Sequence, residues 1–319
     1  MSFALLPATR GSGTAYLFPG QGSQAVGMGE QLYDSSEAAR AVFHEVDMAL
    51  GRPLTKLVFG GPENELRETV NAQPAIMAVS LACVGAMAEQ LGDDALPRPA
   101  LVAGHSLGEY TALAVAGVLE VGETATLVQK RGRLMQEACE QRPGSMAAIL
   151  GLDQMTIEEI SRETGTYVSN VNTAQQIVIS GERMAVARAL DMASSRGAKR
   201  AIPLRVGGAF HSALMEPARE GLVEAIDKLK FRDPTVPIIA NTTGVPLTRA
   251  EDVKQELIRQ ICGCVQWKQS IDYMVASGVS RFIEVGPGDS LSSMVRRIDG
   301  SAETISVDDM DSILRLSRN

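Results

Sequence analysis

The decapeptide Leu101-Val-Ala-Gly-His-Ser-Leu-Gly-Glu-Tyr110 joins a short apolar run to an Ala- and Leu-rich one across a glycine-flanked serine. Ala100 to Ala103 reads as a buried strand, and Glu109 to Leu119 as a helix. A Gly-x-Ser-x-Gly turn between a strand and a helix is the pattern of a nucleophile elbow. Gly104 and Gly108 have physical work there, since a Cβ at either flank would crowd the strand or the helix. The turn lifts the Ser106 hydroxyl to the mouth of a helix, where backbone N–H groups can stabilise an oxyanion. The five-residue pattern alone also arises by chance in strand–loop–helix units. The strand before it and the helix after it favour catalysis.

The whole chain is an ordinary soluble composition: 319 residues, 45% hydrophobic and 21% charged. That is enough for one large domain or two modest ones. A net charge of -8 argues against a general nucleic-acid surface, and an anionic substrate would need a local basic patch. The four cysteines form no disulfide framework and fit a reducing compartment. Cys262-Gly-Cys264 has no second Cys or His pair beside it, so no metal is expected. No stretch reads as the ~18 apolar residues of a membrane span, and the N-terminus lacks the form of a secretory signal. A monomeric, cytoplasmic protein is expected, with residues 1–13 a flexible leader outside the fold.

From the elbow outward, strands alternate with helices. Thr14 to Phe18 is a strand that runs into the glycine-rich loop Pro19-Gly-Gln-Gly-Ser-Gln24. This loop matches no phosphate-binding pattern. An elbow needs a second oxyanion donor from a loop after another strand, and the Gln21 amide is the candidate. Residues 28–60 have helical spacing and carry His44; Gln73-Pro74 begins a long apolar helix to Leu91. Gly122 to Cys139 is a helix bearing Lys130-Arg131-Gly132-Arg133, by default a solvated charged face. Gly132 in its middle suggests a close approach by another element.

Residues 143–205 change character. They alternate as β-α-β-β-α-β, a small ferredoxin-like unit inserted in a larger one made of residues 14–142 and 206–319. After the insert come strands at Pro237–Asn241 and Phe282–Val285 with helices between them. The larger unit is therefore expected to be an α/β sheet, largely parallel and covered on both faces.

A serine nucleophile needs a base, and there are three histidines. His44 reads as a helix residue. His105 adjoins the nucleophile but should point elsewhere, as a structural or pocket residue. His211 sits in the glycine-rich loop Gly207-Gly-Ala-Phe-His-Ser212 and is the best base by position. No acid lies shortly before it; the closest upstream is Asp191, so a carbonyl could orient the imidazole instead.

Phe18-Pro-Gly-Gln-Gly-Ser-Gln24, Gly104-His-Ser-Leu-Gly-Glu-Tyr110, Arg131, Phe210-His211 and Glu284-Val-Gly-Pro-Gly288 occur in that order. Together they resemble the malonyl-CoA:acyl carrier protein transacylases, the acyltransferase family of fatty acid and polyketide synthases. The resemblance covers about residues 14 to 298. It implies an α/β-hydrolase-like large subdomain with a mostly parallel sheet, plus the ferredoxin-like insert. It implies that Ser106 is acylated, that His211 is the general base, and that Gln21 and Leu107 give backbone donors to the oxyanion hole. Arg131 would pair with the free malonyl carboxylate, and the main-chain carbonyl of Gln260 would orient the histidine. Phe210 matches the position at which Phe accompanies malonyl and Ser accompanies methylmalonyl. The donor would be malonyl-CoA and the acceptor the phosphopantetheine thiol of acyl carrier protein, with no metal or tightly held cofactor. A hydrolase using the same Ser–His pair, or a non-catalytic carrier-binding protein, are the rival functions. The first has no use for Arg131, and the second none for Ser106 and His211.

Overall fold

Short apolar runs and amphipathic helices sort the chain into two sheets in the computed structural model, which describes residues 13–316. The strands are β1 (Thr14–Phe18), β2 (Leu101–Gly104), β3 (Ser145–Leu150), β4 (Tyr167–Thr173), β5 (Gln176–Gly181), β6 (Arg200–Pro203), β7 (Ile238–Ile239), β8 (Pro246–Leu247), β9 (Arg281–Val285) and β10 (Glu303–Val307). The larger sheet has the order β10-β9-β1-β2-β7-β8 and is parallel except for the β7–β8 pair. Its central strands are apolar on both sides, as a sheet covered on two faces requires. One face packs against a core that includes Phe43, Val79, Leu113 and Val128; the other meets Trp267, Ile271, Met274 and Leu291. Register pairs Phe18 with Gly104, so the ends of β1 and β2 deliver the glycine-rich loop and the elbow side by side.

The smaller sheet is antiparallel with order β4-β5-β3-β6. Helices Gln154–Thr164 and Arg183–Ser195 bury Ile157, Ile160, Val186 and Ala189 with this sheet's Ile149, Ile177 and Ile179. The order and the two helices are those of a ferredoxin-like β-α-β-β-α-β unit. The α/β class, with a mostly parallel sheet and a small antiparallel one, is the class that the sequence predicts.

Several local expectations are corrected. Residues 1–12 of the expected leader lie outside the described residues, but Gly13 belongs to the fold: its carbonyl accepts from the amides of Ser280 and Arg281, both at 2.8 Å. The elbow helix spans Leu107–Val115, starting two residues early and ending before Leu119, where Gly117 turns at φ 73°. Gln73-Pro74 does not start the long helix, which runs Thr69–Ala95 with Pro74 inside it. Proline lacks the N–H that would bond back one turn, a cost that a helix buried this deeply absorbs. Thr69–Gly92 is also long and apolar enough to cross a membrane, contrary to expectation; 72% of that window is buried inside the fold, which marks a core helix. Two elements near the C-terminus, β10 and the helix Met310–Leu316, have no counterpart in the sequence reading, and β10 completes the sheet edge beside β9.

The close approach expected at Gly132 is real. In the helix Val121–Gln141, a Cβ on Gly132 would lie 2.9 Å from the Thr69 carbonyl oxygen and 2.9 Å from Val70 Cα. Gly132→Ala gains up to ~1 kcal/mol of helix propensity but forces two backbones apart, at ~1–3 kcal/mol. The variant should therefore be less stable, by up to about 2 kcal/mol if the full propensity gain is realised. Urea unfolding checks it, and a midpoint equal to or above wild type refutes the contact.

Candidate active site

Two close contacts make the elbow. A Cβ on Gly104 would sit 1.8 Å from the Gly108 carbonyl carbon, and one on Gly108 would sit 2.0 Å from the Phe18 oxygen. No side chain larger than hydrogen fits at either place. Ser106 between them is held at φ 52°, ψ −100°, a conformation that side-chain-bearing residues rarely adopt. Asn241, just after β7, clamps it. Its Oδ1 accepts from the Ser106 amide at 2.7 Å, and its Nδ2 donates to the Gly104 carbonyl at 2.7 Å. Its own amide donates to Glu109 Oε1 at 2.9 Å. Leu107 is the first residue of the helix, so its N–H is among those that a helix leaves without an internal partner. The Gln21 loop presses on the elbow so closely that a Cβ on Gly20 would lie 2.5 Å from the His105 carbonyl oxygen.

Ser106 Oγ and His211 Nε2 are 2.7 Å apart. His211 Nδ1 faces the carbonyl oxygens of Gln260, at 2.9 Å, and Gly263, at 3.1 Å. Carbonyl oxygens only accept, so Nδ1 carries the proton and Nε2 is left to accept from the serine. His211, too, is held at positive φ, 55°. Its pKa is pushed down to about 3, first by burial and then by the nearby Arg131 cation, with the two carbonyls opposing. At neutral pH the imidazole is therefore neutral, the form a general base needs.

Arg131 does not lie on a solvated face: it is 1% exposed. Its Nη2 is 3.1 Å from Ser106 Oγ and 2.9 Å from Gln260 Oε1, and its Nη1 is 2.6 Å from Gln73 Oε1. Its carbon centre lies 5.1 Å from the Tyr110 ring. The Gln260 side chain also donates through Nε2 to the Ser106 carbonyl at 2.7 Å and to Glu109 Oε2 at 2.6 Å. Burial, and next Glu256, raise the pKa of the Glu109 carboxyl well above its ordinary value.

The structure thus brings together Ser106, His211, Arg131 and Gln260, with Leu107 and the Gln21 loop beside them. His105 turns away: its Nε2 meets Asn172 Oδ1 at 3.0 Å and its ring stands edge-on to Trp267 at 5.4 Å. Phe210 is 7% exposed and packs in the main core, while its carbonyl accepts from Ser169 Oγ at 3.1 Å. His44 lies elsewhere, on the surface against Tyr33. Cys262 contacts Glu216, with Sγ and Oε2 3.3 Å apart. Sequence reasoning missed Asn241, Gln73, Glu109 and Gly263. The one signal for the first three was a polar residue within an apolar stretch.

The buried neutral His211 makes stability pH-dependent with a definite sign. Below its ordinary value of 6.5 the unfolded chain takes up a proton that the folded chain refuses down to about 3. Its contribution is thus full above pH ~6.5 and is lost on acidification, by up to ~1.4 kcal/mol per pH unit. On lowering the pH from ~6.5 to ~5, wild type should lose roughly 2 kcal/mol relative to His211→Gln. Denaturant titrations of both proteins at the two pH values check this, and parallel losses would contradict it.

An acyl transferase domain family model matches residues 15–313. A malonyl CoA-acyl carrier protein transacylase of Bacillus subtilis is 43% identical over 304 residues, 94% of each chain. One of Escherichia coli is 42% identical over 288 residues, 89% of this chain and 92% of its own. The crystal structure of an acyl-carrier-protein-S-malonyltransferase from Bartonella henselae superposes with a TM-score of 0.92 at 42% identity, covering 96% of this chain and 98% of that one. A malonyl-transacylase solved in complex with its type II polyketide acyl carrier protein gives 0.91 at 38% identity, over 96% and 99%. By sequence, by fold and by the span of the match, this chain belongs to the acyl transferase domain family.

Proposed function

We infer that the chain is a malonyl-CoA:acyl carrier protein malonyltransferase acting by double displacement through a malonyl-serine, in fatty acid or polyketide synthesis. Ser106 Oγ attacks the thioester carbonyl as His211 Nε2 takes its proton. The tetrahedral oxyanion lies at the N–H groups of Leu107 and Gln21. The C–S bond breaks, and the CoA sulfur leaves with the proton from His211. In the second half, the phosphopantetheine thiol of the carrier gives its proton to His211 and attacks the serine ester. Ser106 Oγ then leaves and recovers that proton. Each step uses only groups of the chain, the donor and the carrier, so none is routed through a metal or a redox cofactor.

The observation that carries this reading is the place of Arg131. A fully buried guanidinium stands 3.1 Å from the nucleophile, beside the position an acyl chain would take. A planar guanidinium grips a carboxylate with two parallel hydrogen bonds, and malonyl has the carboxylate that acetyl lacks. A hydrolase of simple acyl groups would have no use for it. The names of the relatives, and the solved complex of one with its carrier, support the carrier as acceptor. A cavity of about 400 Å³ lined in part by Thr173, Lys199, Arg200 and Arg297 supplies a local basic patch on a chain of net charge -8. Phe210 precedes the base, and its bulk supports selection against an α-methyl group, which is worth ~1–3 kcal/mol.

Intact mass spectrometry after mixing with malonyl-CoA should show one covalent malonyl adduct, absent in Ser106→Ala; an adduct that survives the substitution moves the nucleophile elsewhere. Arg131→Ala should lower malonyl transfer by ~10²–10⁴-fold, since it leaves a carboxylate unpaired in a buried site. Acetyl transfer should fall much less. An unchanged malonyl preference would remove the carboxylate-binding role. Phe210→Ser should raise methylmalonyl transfer relative to malonyl, read as a ratio of kcat/KM values, and a constant ratio would take Phe210 out of the pocket.

A further inference from the structure

Arg131 is a buried cation with no counter-ion of its own. Proteins that bury a guanidinium nearly always pair it with a carboxylate. Here the partners are two amide oxygens, a hydroxyl and an aromatic face, and among the described residues no ion pair involves it. Its Nε is buried without any hydrogen-bond partner. An acid is close by, but a glutamine stands between: Gln260 Oε1 accepts from Arg131 while Gln260 Nε2 donates to Glu109.

Both glutamine orientations are dictated by their neighbours. Arginine has only donors, so Gln73 and Gln260 must turn their oxygens to it. Their nitrogens then face acceptors. Gln73 Nε2 donates to Thr69 Oγ1 at 2.6 Å, and Thr69 Oγ1 donates to Gln21 Oε1 at 2.9 Å. One continuous chain of hydrogen bonds therefore runs from the guanidinium to the loop that bears the Gln21 amide. Gln73 and Gln260 are both fully buried. They fix the guanidinium in position without supplying charge.

We propose that Gln73 and Gln260 are positioning residues that set substrate specificity: their neutral oxygens hold Arg131 in place while leaving its charge for the carboxylate of the acyl donor. The proposal rests on the malonyltransferase reading and deepens it. Glutamate has the size of glutamine, and a glutamate at either place would give Arg131 an internal counter-ion. The donor carboxylate would then have to compete with a tethered one. An uncharged acyl group would meet no such competitor. Burial and then Glu256 disfavour a charge on Glu109, with hydrogen bonds from Asn241 and Gln260 and the Arg131 cation opposing them.

The test compares wild type, Gln73→Glu and Gln73→Leu in transfer from malonyl-CoA and from acetyl-CoA to a holo carrier. Gln73→Glu should lose at least ~10²-fold in malonyl kcat/KM. It should lose less than about tenfold with acetyl, so the malonyl-to-acetyl ratio collapses. Gln73→Leu removes the hydrogen bond without adding charge; a loosened guanidinium should cost malonyl somewhat more than acetyl, but the ratio should fall far less than in Gln73→Glu. A merely structural role would move both ratios together. A folded Gln73→Glu protein that keeps the wild-type ratio overturns the proposal, and so does a Gln73→Leu protein whose ratio collapses as far. Should Gln73→Glu not fold, Gln260→Glu brings the same charge to Nη2 and should give the same collapse; a retained ratio there overturns the proposal too. Wild type showing no malonyl preference is a separate result: it refutes the malonyltransferase reading, and the proposal with it.

Discussion

Everything at the site depends on keeping one serine in a conformation that it does not favour. Holding a residue in a sparsely populated φ/ψ region costs ~1–3 kcal/mol and persists only where the surroundings over-determine it. Around Ser106 they do. Two glycines remove the Cβ atoms that would block the turn, and Asn241 ties the two peptide groups that flank His105, directly before the serine. Gln260 ties its carbonyl. Both residues are anchored in turn on Glu109, Asn241 by its main-chain amide and Gln260 by its side chain, and Glu109 sits one helical turn beyond the nucleophile. The strain is thus spread over a buried polar network, of the kind that fixes a unique arrangement when every member is satisfied.

The same network explains how a dyad can do without an acid. In a triad, a carboxylate both orients the histidine and stabilises the imidazolium. Here two carbonyl oxygens do the orienting, and the nearest charge is a cation. Protonating His211 in the free protein would place a second positive charge beside Arg131. Under the proposed function, a carboxylate bound at Arg131 would cancel the first of these charges. Acid substrates would then be favoured twice, once by direct pairing and once because the base works beside a neutralised neighbour.

The parts of this design that follow local chemistry were legible in the sequence. The strand–turn–helix of the elbow, the glycines that flank it, the alternating small sheet and the close approach at Gly132 all leave local patterns. Asn241, Gln73 and Glu109 did not show themselves, because each acts through partners far along the chain. Ser106 and Asn241 are separated by 135 positions, and Arg131 and Gln73 by 58. A buried polar residue in an apolar stretch announces that it has a partner, not which one. The default reading of Lys130-Arg131-Gly132-Arg133 as a solvated face fails at Arg131, which the family resemblance placed at the site; the helix turns that member inward. Pro74 misled in the opposite sense, since a proline marks a helix start only where nothing else compensates for the missing bond. The edge strand β10 is short and half-exposed, so its alternation was too weak to register.

The inserted sheet has a direct part in building the site. Val171 donates its amide to the Val265 carbonyl at 2.9 Å, and the Val265 amide donates to the Ser169 carbonyl at 2.8 Å, so β4 is stitched to the loop that holds Gly263. Ser169 also donates through its hydroxyl to the carbonyl of Phe210, directly before the base. The larger sheet fixes the nucleophile, while the smaller one helps fix the histidine and one of the two carbonyls that orient it. The 2.7 Å contact between Ser106 and His211 therefore depends on how the two sheets are joined. Catalytic geometry tolerates errors of only ~0.5 Å, so a rigid seam between the sheets is as necessary to the chemistry as the elbow.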